Sequence, residues 1–304
     1  MKDGSVFTTI AVVLTLFVAP VGVASAESQG VKVAEGFNSP QGVLVDADGN
    51  LYVIDTGLGG DTKIEIPNPE TGEVETATFG ETARVVRVAP DGRQETLATL
   101  PSVAFGEESM GGARLALLNG HLYATSGGWE PVFGAERQPK MAAIVAIANG
   151  AATEIAETWG TEKDTNPDGH VLESHPYGLT VGPDGMLWVA DAGANTLLKI
   201  DPDTGQVSIV AVFQGVPSPI PNPNRDEALE SDPVPTAVAF DEAGNVYVSF
   251  LPGIPFLPGA AKVVRVAPDG TTSDFATGLT MVTDLRTAPD GDLYAVQMGR
   301  FTQD

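Results

Sequence analysis

The chain has no cysteine, only three histidines, and 16 lysines and arginines against 40 aspartates and glutamates, for a formal net charge of −24. Without thiols there is no disulfide framework and no thiolate nucleophile, so stability has to come from burial, which a chain of 304 residues can supply. The charge balance speaks against a nucleic-acid partner, because phosphate binding takes clustered lysine and arginine, and against an anionic membrane surface for the same reason. Long apolar runs are also scarce. The one present, residues 10–23, is shorter than a spanning helix needs, is interrupted by Pro20 and Gly22, and leads into Ala24-Ser25-Ala26, a small-x-small cleavage pattern. Residues 1–26 therefore read as a signal peptide and residues 27–304 as a mature body in an extracytoplasmic setting, periplasmic or secreted, with no stable membrane insertion after cleavage. There is no Gly-x-Ser-x-Gly elbow, Walker loop or His-Glu-x-x-His, so no reaction is written in a motif, and whether the chain is an enzyme stays open.

What the chain has in quantity is self-similarity. Residues 39–53, 111–124, 175–189, 234–248 and 281–295 align, each with two short β-favouring runs on either side of Asp-Gly, Asn-Gly or Ala-Gly, a strong local cue for a hairpin. A second hairpin pattern follows four of them, at residues 84–98, 143–156, 196–210 and 262–276. One unit is thus a four-stranded meander, with strands a to d. Repeated meanders leave open edges that radial arrangement protects, so the predicted fold is all-β, a β-propeller of four-stranded antiparallel blades, with a two-sheet sandwich as the competing architecture. Residues 30–36 resemble a lone d strand that would complete the last blade. The fifth unit has strands a and b only, which gives four full blades plus a partial one and suggests a missing C-terminal part.

Alternating strand directions put the a–b and c–d turns on one face and the b–c and d–a connections on the other. The first set is minimal; the second carries the insertions, at residues 57–82, 127–141, 160–174, 215–233 and 252–261. Insertions gathered on one face of a repeat array build a binding surface, which here would take a small molecule, glycan or protein. Polar or aromatic residues expected there or beside the central channel are Gln41, Asp55, Arg114, Trp129, His175, Tyr177, Asp191, Asn195, Thr236 and Asp284. Convergent oxygen donors suit a hard cation such as Ca²⁺, with Asp191 and Asn195 as candidate ligands, and suit a network of mutual hydrogen bonds equally well. His121 falls in a plain-face turn. His170, Glu173 and His175 form a His-x-x-Glu-x-His grouping that matches no zinc signature and reads as solvated loop. Asp46-Ala-Asp-Gly-Asn and Asp201-Pro-Asp-Thr-Gly look like calcium-loop fragments but coincide with hairpin turns, and Trp188 reads as core.

Taken in order, Ser39-Pro-Gln-Gly with Asp48-Gly-Asn-Leu-Tyr-Val, Leu97-Ala-Thr-Leu-Pro-Ser, His175-Pro-Tyr-Gly-Leu with Val189-Ala-Asp-Ala-Gly-Ala-Asn-Thr-Leu-Leu-Lys-Ile, Val234-Pro-Thr-Ala-Val-Ala, and Phe275-Ala-Thr-Gly-Leu-Thr-Met-Val-Thr-Asp-Leu resemble the ScyD/ScyE family of exported NHL-like propellers. The resemblance covers nearly the whole mature chain. It implies six blades, of which family members usually continue past the point corresponding to Gly299, and for two members a link to scytonemin production. His175 departs from the family, which more often has Asn there. The function expected on this footing is an exported binding or scaffold propeller linked to extracellular pigment or matrix production. The alternative is a divalent-cation-dependent hydrolase or lyase resembling the gluconolactonase-like and virginiamycin B lyase-like propellers.

Overall fold

The computed structural model describes residues 30–67, 74–106 and 108–299, so the stretch read as a signal peptide lies outside the described residues. The chain divides into two units at Val33/Ala34. Residues 30–33 of the first have no regular structure, and the second carries the sheets.

The first sheet is formed by β1 (Pro40–Val45), β2 (Leu51–Asp55), β3 (Thr62–Pro67), β4 (Val74–Val88), β5 (Gln94–Phe105) and β6 (Glu108–Met110), in the order β1-β2-β4-β5-β6 with β3 added along the far half of β4. The second holds β7 (Leu115–Leu118), β8 (His121–Ser126), β9 (Ala143–Ala148) and β10 (Ala151–Glu157), and a short helix α1 (Trp159–Thr165) follows it. The third runs β11 (Pro176–Val181), β12 (Leu187–Asp191), β13 (Thr196–Ile200) and β14 (Val207–Val212); a hairpin of β15 (Val216–Asn222) and β16 (Ala228–Ser231) leaves it. The fourth is β17 (Pro235–Phe240), β18 (Val246–Phe250), β19 (Ala261–Val266) and β20 (Thr272–Leu279), and the fifth pairs β21 (Val282–Thr287) with β22 (Leu293–Gln297). All pairings are antiparallel between neighbours. The turn glycines Gly49, Gly120, Gly185, Gly244 and Gly291 take φ between +74° and +86°, which side-chain-bearing residues resist. Asp46 closes its turn by accepting from the backbone N–H groups of Asp48 and Asn50, from the Asn50 amide and from the Tyr52 hydroxyl. Asp201 does the same with the N–H groups of Asp203 and Thr204, so both acids are turn clasps.

The core shows how the sheets are arranged. One apolar cluster joins Ile54, Val85 and Leu100 of the first sheet to Leu115, Leu122 and Val145 of the second. Another joins Tyr123 and Ile144 of the second to Leu179, Val189 and Leu198 of the third. A third joins Trp188 and Leu197 to Val238, Val248 and Val264 of the fourth, and a fourth joins Val263 and Tyr247 to Leu285 of the fifth. Leu115 and Ala116, adjacent in β7, face different neighbours, as the period-two side-chain alternation of a strand requires. The second, third and fourth sheets are therefore covered on both faces, which a two-sheet sandwich cannot do; the architecture is a β-propeller. The first strands of successive sheets lie side by side. A Cβ on Gly42 would come within 2.4 Å of the Ala113 carbonyl, and one on Gly178 within 2.7 Å of the Thr236 carbonyl, so glycine is what lets these inner strands approach. Outward of the stack, Val43 and Val45 of β1 and Tyr294 and Val296 of β22 remain exposed.

Two expectations need correction. Residues 30–37 form no strand, and Val31 and Val33 are exposed; the fifth sheet has no c strand among the described residues for a d strand to pair with. The 57–82 insertion, expected as loop, is instead a hairpin extension of the first sheet, in which β3 pairs with β4 from Thr62/Phe79 to Pro67/Val74.

Candidate functional site

Four of the five first strands are bulged near their starts; β7, which begins beside Arg114, is not. Pairing skips a residue at Gln41 in β1, Tyr177 in β11, Thr236 in β17 and Thr283 in β21. A bulge re-aims one side chain without ending the strand, and here it turns the sequence-equivalent residue of four sheets toward the axis. The Tyr177 hydroxyl donates to Gln41 Oε1 at 2.9 Å. Arg114, 3 % exposed, lies 4.7 Å over the Tyr177 ring and donates to the carbonyls of Gln41 (2.6 Å), Ala113 (3.0 Å) and Thr283, with Asp284 at 3.6 Å. Arg114 thus pins inner strands of the first, second and fifth sheets together and is not free to hold a ligand. Thr236 is likewise engaged, donating to the Val282 carbonyl at 2.7 Å. Asp284 sits one residue past the bulge, caps the Leu285 N–H and faces Arg114 and Arg286.

The strand-b acids are clasps too. Asp55, fully buried, accepts from the N–H groups of Asn38 and Arg84 and from the Arg84 guanidinium at 2.8 Å. Asp191, also fully buried, accepts from Ser174 Oγ (2.7 Å) and from the N–H groups of His175 (2.6 Å) and Ala194 (3.2 Å). Each ties the connection entering its sheet to the turn leaving strand b. Asn195 donates to Asp168 and accepts from the Val234 N–H. With these atoms already facing donors, Asp191 and Asn195 do not fit a hard cation, which needs lone pairs turned toward one point. Among the described residues no group of three or more His, Asp and Glu is placed to hold a metal ion. Trp129, expected to stack on a ligand, is fully buried instead, within a core of Ala77, Val103, Met141 and Trp159 under the insertions.

Gln41, His175 and Tyr177 do come together. They line a cavity of about 390 Å³ that opens between the first three sheets on the insertion-rich side, within the range of small-molecule sites. Its walls are Ile66 from β3, Val103 and Phe105 from the end of β5, Met110 from β6 and Phe133 from the turn after β8. Thr56 and Ser109 add a hydroxyl pair, bonded to each other at 2.5 Å, and Glu108 and Glu130 add carboxyls. The backbone bridge between Trp129 and Ser174 (N···O 2.8 and 3.0 Å) brings Glu130 and His175 to the cavity. His175 lies in the loop before β11 and is half-buried, not fully solvated. Desolvation pushes its imidazole down to about 4, its ring packs edge-on to Tyr177 at 5.9 Å, and among the described residues neither ring nitrogen has a hydrogen-bond partner. Burial raises the Glu130 carboxyl above the ordinary range. An imidazole whose pKa is lowered and a carboxyl whose pKa is raised thus line one chamber.

A second, smaller cavity of about 140 Å³ is lined by Asp168, His170, Glu173, Asn195, Asn224 and Asp232 among others. Most of its polar groups face each other: Asp168 holds Asn195, and Asp232 holds Asn222 and Arg225. Desolvation and the surrounding acids raise Glu173 to about 8. Buried Glu162 on α1 is raised equally, to about 8, by desolvation and then by Asp191 and Asp168. The His-x-x-Glu-x-His grouping is thus divided between two cavities.

The chain is, then, a β-propeller with a largely apolar cavity between its first three sheets. No family model matches it. It is 31% identical over 132 residues to a gluconolactonase of Zymomonas mobilis subsp. mobilis, a match spanning 41% of this chain and about a third (33%) of that protein's length. Among solved structures it is similar to a virginiamycin B lyase from Staphylococcus aureus (14% identity, TM-score 0.49, 86% of this chain and 64% of that one). It is also similar to a putative gluconolactonase (16% identity, TM-score 0.45, 88% of each chain). Likenesses this distant say nothing of activity.

Proposed function

We propose that the chain is the propeller body of an exported hydrolase or lyase of gluconolactonase-like type, acting on a small molecule in the 390 Å³ cavity. The observation that carries the reading is that His175, whose pKa burial lowers to about 4, and Glu130, whose pKa burial raises, line the same cavity. The 31% identity with a gluconolactonase adds support. In a hydrolysis, water attacks the ester carbonyl carbon while His175 takes its proton; the C–O bond breaks and Glu130 protonates the leaving oxygen. The imidazolium then returns its proton to the Glu130 carboxylate. In a lyase reaction His175 takes a proton from carbon instead and no water is consumed. The low pKa of His175 makes it a weak base but one that is unprotonated down to about pH 4. No step is assigned to a cation, because Asp191 and Asn195 are engaged elsewhere.

The order of motifs along the chain favours a second reading, a non-catalytic binding propeller of ScyD/ScyE type. The two separate in one experiment: the purified mature protein is offered a panel of esters and lactones, and products are weighed by mass spectrometry. Saturable turnover that disappears in His175→Ala supports an enzyme, with a gain of one water marking a hydrolase. Binding without turnover across the panel transfers the case to the binding propeller.

A further inference from the structure

Resting on the proposed enzyme reading, we infer that the substrate of this cavity is an uncharged, predominantly apolar ester or lactone, a ring or short chain with one polar edge, and not a polyhydroxylated sugar lactone or an anion. The argument is an inventory of the walls. Ile66, Val103, Phe105, Met110 and Phe133 line the chamber, and no lysine or arginine lines it. An anion entering would meet Glu108 with no compensating cation, in a chain of net charge −24.

A sugar lactone fails on hydrogen bonds. Each of its hydroxyls gives up water on entry and has to be met by a wall group, since an unmet buried hydroxyl costs about 1–3 kcal/mol. The wall has few left to offer. The Tyr177 hydroxyl is donated to Gln41, and the Thr56 and Ser109 hydroxyls face each other. Those hydroxyl oxygens can still accept, but as donors there remain only the Gln41 amide N–H₂, a His175 ring N–H and the Glu130 acid, enough for one polar edge. The apolar wall comes mostly from the extension of the first sheet, β3 to β6, together with Phe133. Most of the apolar wall therefore lies on the extension of the first sheet, while Glu130 lies on the connection after β8 and His175 immediately before β11.

The test pairs a binding measurement with a rate measurement. Calorimetry compares δ-valerolactam bearing an alkyl chain with gluconolactam, both resistant to hydrolysis, and a pH-stat compares the alkyl δ-lactone with glucono-δ-lactone. The expected result is saturable binding of the alkyl lactam at least tenfold tighter than gluconolactam, a matching preference in kcat/KM, and loss of that preference in Phe133→Ser and Met110→Gln. A retained melting temperature and an unchanged far-UV circular dichroism spectrum in both variants exclude simple unfolding. Alkyl lactam binding without any lactone turnover upholds the ligand class and overturns the enzyme reading. Turnover of glucono-δ-lactone at equal or higher kcat/KM overturns the ligand class and leaves the enzyme reading standing. Absence of alkyl lactam binding overturns the ligand class outright.

Discussion

Glu173 and His175 are two residues apart, yet they line different cavities, and the polar groups of those cavities are in different states. In the small one, acids and amides face one another: Asp168 with Asn195, Asp232 with Asn222 and Arg225. In the large one, the half-buried His175 ring has no partner among the described residues and stands against largely apolar walls. A collection of acids and a histidine is therefore no guide to chemistry by itself. What distinguishes a working chamber is a titratable group left unpaired where a ligand can reach it.

The sharpest way to break that comparison is to remove the two histidines separately. His175→Ala should lower kcat/KM by about 10²–10³-fold, the ordinary worth of a general base, while His170→Ala stays within about twofold. The wild-type pH–rate profile should rise through about pH 4, where His175 loses its proton, and fall once Glu130 ionises above the ordinary carboxyl range. Equal effects of the two substitutions would erase the distinction between the cavities. Burial of neutral His175 also bears on folding. Its folded value lies below its unfolded 6.5, so its contribution to stability is full above pH 6.5 and is lost as the pH falls toward about 4.

Next in size is the clasp at the hinge between the cavities. Asp191→Ala leaves Ser174, the His175 N–H and the Ala194 N–H without their acceptor and should cost about 2–4 kcal/mol by denaturant titration. Added calcium should move the melting temperature of wild type and variant by the same amount. A calcium shift seen in wild type and absent from Asp191→Ala would restore Asp191 as a ligand.

The buried acid on α1 should respond in the opposite direction. Glu162 holds its proton to about pH 8 when folded but only to about 4.5 when unfolded, so it destabilises the fold increasingly as the pH rises between those values. Glu162→Gln should therefore leave stability unchanged below pH 4.5 and raise it by about 1–2 kcal/mol at pH 8. A melting-temperature gain independent of pH would mean that packing, not charge, is responsible.

The blades were legible because hairpin chemistry is local: Asp46, Gly49 and their counterparts carry φ and hydrogen-bond requirements that can be read one turn at a time. The side of the molecule that holds the cavity followed from loop lengths. Gln41, His175 and Tyr177 were reachable as starts of first strands, since the repeat itself marks those positions. Arg114, Thr236, Asp55 and Asp191 occupy the same kinds of position but are consumed by carbonyls and N–H groups far along the chain, a pairing no local pattern announces. Ile66, Phe105 and Met110 were missed because a stretch of no repeat period folded as a sheet extension, and Phe133 because it lies in the connection after β8, outside the repeat. Glu130 was passed over beside Trp129, whose ring drew attention as a ligand platform and is buried in the core.

The smallest expected effect tests how His175 is aimed. Gly128 lies on the segment that bridges to the His175 side, and its N–H points at Met110 Sδ, 3.0 Å away. A Cβ placed there would stand 2.9 Å from that sulfur and 3.0 Å from the His175 ring. The methionine can swing aside at little cost, but the imidazole is held by its own backbone bond to Asp191 and by Tyr177, so it has to tilt. Gly128→Ala should thus lower kcat about three- to tenfold through misorientation while changing stability by less than about 1 kcal/mol, because only a methyl is added. A drop in kcat accompanied by restored activity in Gly128→Ala with Met110→Ala would place the strain on the methionine; no restoration leaves it on His175, the residue to which the chemistry has been assigned.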